Sequence, residues 1–246
     1  ADLLRPIPTY AIVDKTGVPY MVVGEDAKLT AYFFTSYQEA SRILNVASVS
    51  VKKGLADLKK EENGKRMKAG EKIMTKEEEM DVVGINPWVN ARVSTVPLDF
   101  AVGLAIKGKI KGAYFRVAPS EADVEDALEV DKLEDLAEGK VPLFYFEDFN
   151  IVDEGGKSQI PLYFSKAQLL EDWKKRNRKG EIPPVKVTEL LSVLTSMAQS
   201  SIDDGEDDLE KLALVQFKGS AANVKECLKK GGSEKPYKLG ERIVVL

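Results

Sequence analysis

The second half of this chain repeats the first, and that self-similarity narrows the fold more than any other feature of its 246 residues. Ile7-Pro8-Thr9-Tyr10-Ala11-Ile12 parallels Val141-Pro142-Leu143-Phe144-Tyr145-Phe146. In each, a β-branched residue and a proline open a short apolar run, the pattern of a strand entering a sheet. Ala31-Tyr32-Phe33-Phe34-Thr35-Ser36 parallels Pro161-Leu162-Tyr163-Phe164-Ser165-Lys166, pairing Phe33 with Tyr163. Tyr114-Phe115-Arg116-Val117-Ala118-Pro119-Ser120 parallels Leu214-Val215-Gln216-Phe217-Lys218-Gly219-Ser220, and Val124 and Leu128 follow as Val224 and Leu228 do. Both segments predict a strand, a break, a serine at a helix N-cap and apolar residues at helical spacing. The expected fold is α/β (α+β): two pseudo-symmetric sheet-plus-helix halves produced by an internal duplication. Residues 1–130 form the first half, 131–228 the second, and 229–246 a C-terminal extension outside both.

Between these landmarks the first copy is about 30 residues longer than the second. The excess falls at about 51–84, a lysine- and glutamate-rich segment that begins basic and ends acidic through Glu77, Glu78, Glu79 and Asp81. It reads as a surface excursion, partly helical or mobile. A sharper reading makes it a clamp that docks on a partner protein through Leu55, Leu58, Met67 and Met74, with Ile73 and Met80 beside them. The terminal strip carries the same pair of readings, and there Ile243 and Val245 would add as a strand to a neighbour's sheet.

The sequence contains no histidine and a single cysteine. Serine–histidine and cysteine–histidine catalysis, histidine-ligated zinc, internal disulfides and CxxC redox pairs are therefore all outside its reach. With 36 basic and 40 acidic side chains the net charge is -4, which gives no long-range attraction to nucleic acid. No apolar run approaches the ~20 residues of a membrane helix, so contact with a membrane is peripheral at most. Glycines 103–112 lack both the dinucleotide and the P-loop spacing. The acidic run at 203–208 does not follow the calcium-loop pattern and reads as a solvated connection. Neither metal nor cofactor is expected, and Cys227, standing where the first copy has Ala127, reads as a small buried apolar residue. The chain opens on Ala1, which leads to the expectation that a targeting segment has been removed or the chain trimmed.

The aromatic residues concentrate in the strands, where runs of three place rings on both faces of a sheet. One face packs on helices; the other is expected to line a groove between the halves that suits an extended polypeptide. Tyr32, Phe34, Tyr114, Phe144, Phe146 and Tyr163 are the candidate polypeptide-binding residues.

The paired units, from Ile7-Pro8-Thr9-Tyr10 through Tyr114 to Ser120 and again from Val141-Pro142-Leu143-Phe144 through Leu214 to Ser220, resemble the Tic twenty-two family, a plastid-envelope import factor and its cyanobacterial relatives. The resemblance covers about residues 7–228 and rests on structural rather than catalytic motifs. It implies a butterfly-like pair of α/β halves with apolar pockets where helices meet sheet. It also implies a non-enzymatic, chaperone-like factor of the plastid envelope intermembrane space, whose partners are preproteins and translocon subunits. The insertion and the tail depart from the family pattern. They support a second reading, a structural or linker subunit of a photosynthetic (photosystem or antenna) supercomplex at the stroma or thylakoid surface. An enzyme of unknown type is the third reading.

Overall fold

The computed structural model describes residues 4–23, 27–132, 136–137, 139–152, 156, 158–176, 181–200, 211–231 and 243–245. The first strand, β1 (Pro8–Val13), is buried along its whole length, which its continuous Pro-Thr-Tyr-Ala-Ile-Val run permits only where both faces of a sheet are covered. It pairs antiparallel with β3 (Leu29–Phe34) and with β4 (Arg92–Pro97). On β3, the short β2 (Val22–Val23) lies antiparallel and β5 (Tyr114–Ala118) parallel. Three helices accompany this sheet: α1 (Tyr37–Lys68), α3 (Leu98–Ile106) and α4 (Glu121–Asp131), with α2 (Lys76–Val82) in the insertion.

The second half has the same plan. Its first strand, β6 (Pro142–Tyr145), pairs antiparallel with β8 (Ser158–Tyr163) and β9 (Lys186–Glu189). The short β7 (Ile151–Val152) joins β8 antiparallel, and β10 (Lys211–Val215) joins it parallel. Helices α5 (Lys166–Arg176), α6 (Leu190–Ser200) and α7 (Ser220–Gly231) follow β8, β9 and β10, as α1, α3 and α4 follow β3, β4 and β5. Even single bonds match: Leu98 N donates to Ile7 O at 2.9 Å, and Leu190 N donates to Val141 O at 3.0 Å.

That correspondence corrects the sequence pairing at two places. Ala40 N donates to Ser36 O and Leu169 N to Ser165 O, so Ser36 matches Ser165, not Lys166. Tyr10 lies opposite Phe34 and Phe144 opposite Tyr163, so Tyr163 matches Phe34 rather than Phe33. Strand side chains alternate between faces, and a slip of one residue therefore exchanges core and outer positions. At the last unit, Ser120 caps α4 by accepting Asp123 N, as expected. Ser220, however, is already inside α7, and its hydroxyl turns back to donate to Phe217 O at 2.7 Å.

The expected groove between the halves is instead a shared core. Ile7, Phe33, Leu98, Val102 and Val117 of the first half pack with Val141, Leu143, Leu162, Leu190 and Leu214 of the second. The last helix of each half then crosses to the other. Ala127 of α4 is buried against Phe144, Tyr163, Leu169 and Val215 of the second half. Cys227 of α7 is buried against Tyr10, Ile12, Phe34 and Val93 of the first. Ion pairs fasten α4 on both sides: Arg42 Nη2 of α1 lies 2.8 Å from Glu121 Oε2, and Lys166 Nζ of α5 lies 2.6 Å from Glu129 Oε2.

The insertion is an ordered helical projection. Helix α1 runs through Val51 for 32 residues without a break, because residues beyond that point are mainly Ala, Leu, Lys and Glu. The shorter α2 folds back onto it through Lys59–Glu79 (2.5 Å), Arg66–Glu78 (3.0 Å) and a bond from Met74 N to Asn63 Oδ1 (2.8 Å). A capping box between Thr75 and Glu78 fixes the start of α2. The tail expected to stand apart pairs within its own chain: β11 (Ile243–Val245) adds antiparallel to β10.

Two outcomes follow from the exchanged helices. Burial raises the Asp123 carboxyl of α4 to about 6, against bonds to Ser120 and Ser165 that oppose the shift. A raised native pKa contributes stability that is full below the unfolded value near 4 and is lost as pH rises through about 6. Relative to Asp123→Asn, the native protein should lose about 2–3 kcal/mol between pH 4 and pH 7.5, read by urea unfolding at each pH. Burial, reinforced by Glu226, raises the Cys227 thiol to about 11. The native protein should therefore resist a thiol-specific reagent at pH 8 and react fully only in denaturant, a difference scored by labelled mass.

Candidate functional site

A cavity of about 480 Å³ lies on the outer face of the first sheet. Its floor is Ile12, Tyr32, Phe34 and Ala118, and one wall is the α1 face of Glu39, Ile43 and Ala47. Tyr20, Met21, Val22 and Trp88 form the opposite wall, while Val124 of α4 and Leu136, Ala137, Gly139 and Lys140 close one end. The aromatic wall is held in place by specific bonds. Asn86 Oδ1 accepts Trp88 N at 2.9 Å, Tyr20 Oη donates to Pro87 O at 2.7 Å, and the two rings lie 4.6 Å apart. Arg116, Glu121 and Lys140 border the otherwise apolar space, and Glu39 is held by Arg42 at 2.7 Å.

The cavity exists because the two outer faces are filled differently. In the second half, Phe146, Phe149 and Trp173 pack edge to face with centroids 5.1–6.4 Å apart, and Leu169 lies among them. By the matched bonds and registers, Ile12 stands where Phe146 does and Ala40 where Leu169 does. Smaller side chains at those positions leave volume that a close-packed interior would otherwise fill.

The six aromatic candidates are divided by this arrangement. Tyr32 and Phe34 line the cavity, and Phe33 between them points into the shared core, as strand alternation requires. Tyr114 borders a second cavity of about 210 Å³ lined also by Phe115, Val141 and Leu190, with the Lys28 and Lys109 ammonium groups 5.5 Å and 6.0 Å from its ring centre. Phe144, Phe146 and Tyr163 are enclosed in the second half's outer core, so these three present no binding surface. Tyr163 Oη donates to Asp172 Oδ2 at 3.3 Å.

Of the docking candidates, Leu58 and Met67 are exposed along the projection and Leu55 is half-buried. Met74 is buried and serves to seat α2, while Ile243 and Val245 belong to the strand on β10. Sequence reasoning missed Tyr20, Met21 and Trp88. A tryptophan directly after Asn86-Pro87, outside every strand pattern, was the available signal.

Among the described residues no cluster of three or more acidic or cysteine side chains is placed to hold a metal, and no helix is long and apolar enough to cross a membrane. The acidic run at 203–208 lies outside the described residues. Two interlocked α/β halves with an aromatic-lined apolar cavity on one outer face make a scaffold suited to holding an apolar group.

The Tic22-like family profile matches residues 1–212, and the chain belongs to that family. Among solved structures it is similar to Tic22 from Plasmodium falciparum, with a TM-score of 0.60 and 20% identity over 92% of this chain and 95% of that one. It is also similar to Anabaena Tic22, a protein described by the words protein transport, with a TM-score of 0.54 and 18% identity over 92% and 94%. At these identities the likeness to the solved structures is one of fold. No curated protein sequence matches the chain.

The site yields a direct expectation. The fluorophore ANS should bind the native protein, and Ala47→Trp, which puts a large ring at the cavity wall, should weaken that binding at least ten-fold in a fluorescence titration, taking about one order of magnitude as the cost of a blocked apolar site. Stability should change by less than ~1 kcal/mol, because Ala47 is only half-buried on a helix.

Proposed function

We propose that this protein is a non-enzymatic, chaperone-like factor that holds apolar segments of other polypeptides during protein transport. The observation that carries the reading is the 480 Å³ cavity lined by Tyr20, Tyr32, Phe34 and Trp88. Aromatic and aliphatic walls with few fixed polar partners bind apolar side chains without demanding one sequence, which a carrier of varied clients needs. Membership of the Tic22-like family and the protein-transport description of the Anabaena relative support the same role. By the family resemblance the clients are preproteins, the neighbours translocon subunits, and the compartment the plastid envelope intermembrane space.

A second reading is favoured by one feature, the helical projection of α1 and α2 with Leu58, Met67, Ile73 and Met80 exposed along it. Such a fixed arm suits a linker subunit of a photosynthetic assembly. A photo-reactive benzophenone side chain at Met21, on the cavity wall, separates the two. In organelles importing a labelled preprotein, adducts should form with the arriving chain. Adducts confined to subunits of one photosynthetic complex would overturn the carrier reading in favour of the linker.

A further inference from the structure

We infer that the outward face of α3, with the lysine-rich turn that follows it, is the docking site for an acidic amphipathic helix of a resident partner protein. The inference goes beyond the carrier reading, because α3 contributes no residue to the 480 Å³ cavity and can be occupied while a client is held. Its basis is a difference between the two halves. The matched bonds from Leu98 N to Ile7 O and from Leu190 N to Val141 O set α3 against α6 residue for residue. Both helices bury the same positions, Leu98 and Ala101 in one, Leu190 and Val193 in the other. On its outward side α6 exposes Ser192 and Thr195, whose hydroxyls donate locally to Glu189 Oε2 and Leu191 O. At those two places α3 has Phe100 and Gly103. Phe100 is 58% exposed, and Ile106, one turn beyond Gly103, is 69% exposed.

Phe100, Gly103, Ile106 and Lys107 fall at three- and four-residue spacing and so share one face of the helix. The space before Gly103 is open, since a Cβ there would meet no atom within 4 Å. Phe100 and Ile106 thus stand on either side of a notch that admits another backbone closely, with two apolar anchors beside it. Lys107, Lys109 and Lys111 follow, all exposed, and none of the three forms an ion pair among the described residues. Asp99 stands at the opposite end of the same face. Positive charge gathered at one end of an apolar ridge selects a helix that is acidic at the matching end. A bilayer surface presents anionic charge evenly and would set it against Asp99 as well. Targeting segments of arriving preproteins are arginine-rich and poor in acidic residues, so the same lysines repel them and reserve the face for a resident partner.

The probe is a photo-reactive benzophenone carried on the Phe100 ring of the full-length protein in intact organelles. The same group at Ser192, the matching exposed position of α6, is the control. With no preprotein added, the Phe100 probe should form an adduct with another protein at least ten-fold above the control. Mass spectrometry should place that crosslink in a segment whose charged residues are mainly Asp and Glu. Gly103→Leu, which fills the notch, should reduce the adduct at least ten-fold, and so should the combined Lys107→Gln, Lys109→Gln and Lys111→Gln variant. Both variants should keep the native circular dichroism spectrum, since the altered positions face open space or solvent. A synthetic peptide of the crosslinked segment should bind the native protein more weakly as salt rises, without displacing ANS from the cavity. An adduct with an arriving preprotein, a lipid, a second copy or a basic segment would overturn the inference, as would one no stronger than the control. Displacement of ANS by the peptide would overturn it too. None of these results bears on the carrier reading, which is scored by the probe at Met21.

Discussion

Everything else in this molecule is arranged around the apolar contact between Leu98, Phe33 and Val117 on one side and Leu143, Leu190 and Leu214 on the other. Those residues form a single buried cluster that belongs to neither half. Each sheet is covered on its inner face by the helices of that cluster, α3 and α6, and on its outer face by a helix supplied from across the boundary. Burial of this kind is worth roughly 1.5–3 kcal/mol for each large side chain, so a contact built from more than a dozen of them dominates the stability. The ion pairs at Arg42 and Lys166 orient α4 but add little beside it, since surface pairs contribute about 0–1 kcal/mol.

With their inner faces committed to the core, the sheets can bind only through their outer faces and edges. The second half gives up its outer face to Phe146, Phe149 and Trp173 and its edge to β11. The first half keeps a cavity on its outer face, and that asymmetry turns one of two similar layers into a structural brace and the other into a site. It also explains why Phe34 is a functional candidate while Tyr163, at the matching place in the fold, is not.

Much of this was legible in the residues. The proline-led strands, the Ser36 and Ser120 caps and the extra length of the first half all follow from local chemistry that tertiary packing reinforces. The register between the halves was not, because Phe33-Phe34 and Tyr163-Phe164 align equally well by type, and only the Ser36–Ala40 and Ser165–Leu169 bonds fix which ring faces the core. The insertion's charge pattern revealed an excursion but not its order, which depends on α2 folding back through Glu78, Glu79 and Asn63. The cavity was invisible for a different reason. It is set by what Ala40 and Ile12 lack relative to Leu169 and Phe146, and absent volume leaves no motif. The groove expected between the halves failed because both faces of each sheet are apolar, and two such faces meet rather than stay apart.

The exchange of α4 and α7 has a consequence for the order in which the chain can acquire its shape. The outer layer of the first sheet is completed by Cys227, which is made more than a hundred residues after the strands it covers. A chain emerging from a ribosome, or threading across a membrane from its N-terminus, therefore cannot finish its first half until α7 arrives. Contacts of such long sequence separation slow folding and prolong exposure of apolar strands. A protein proposed to shelter unfinished chains would thus pass through the same condition itself each time it is made.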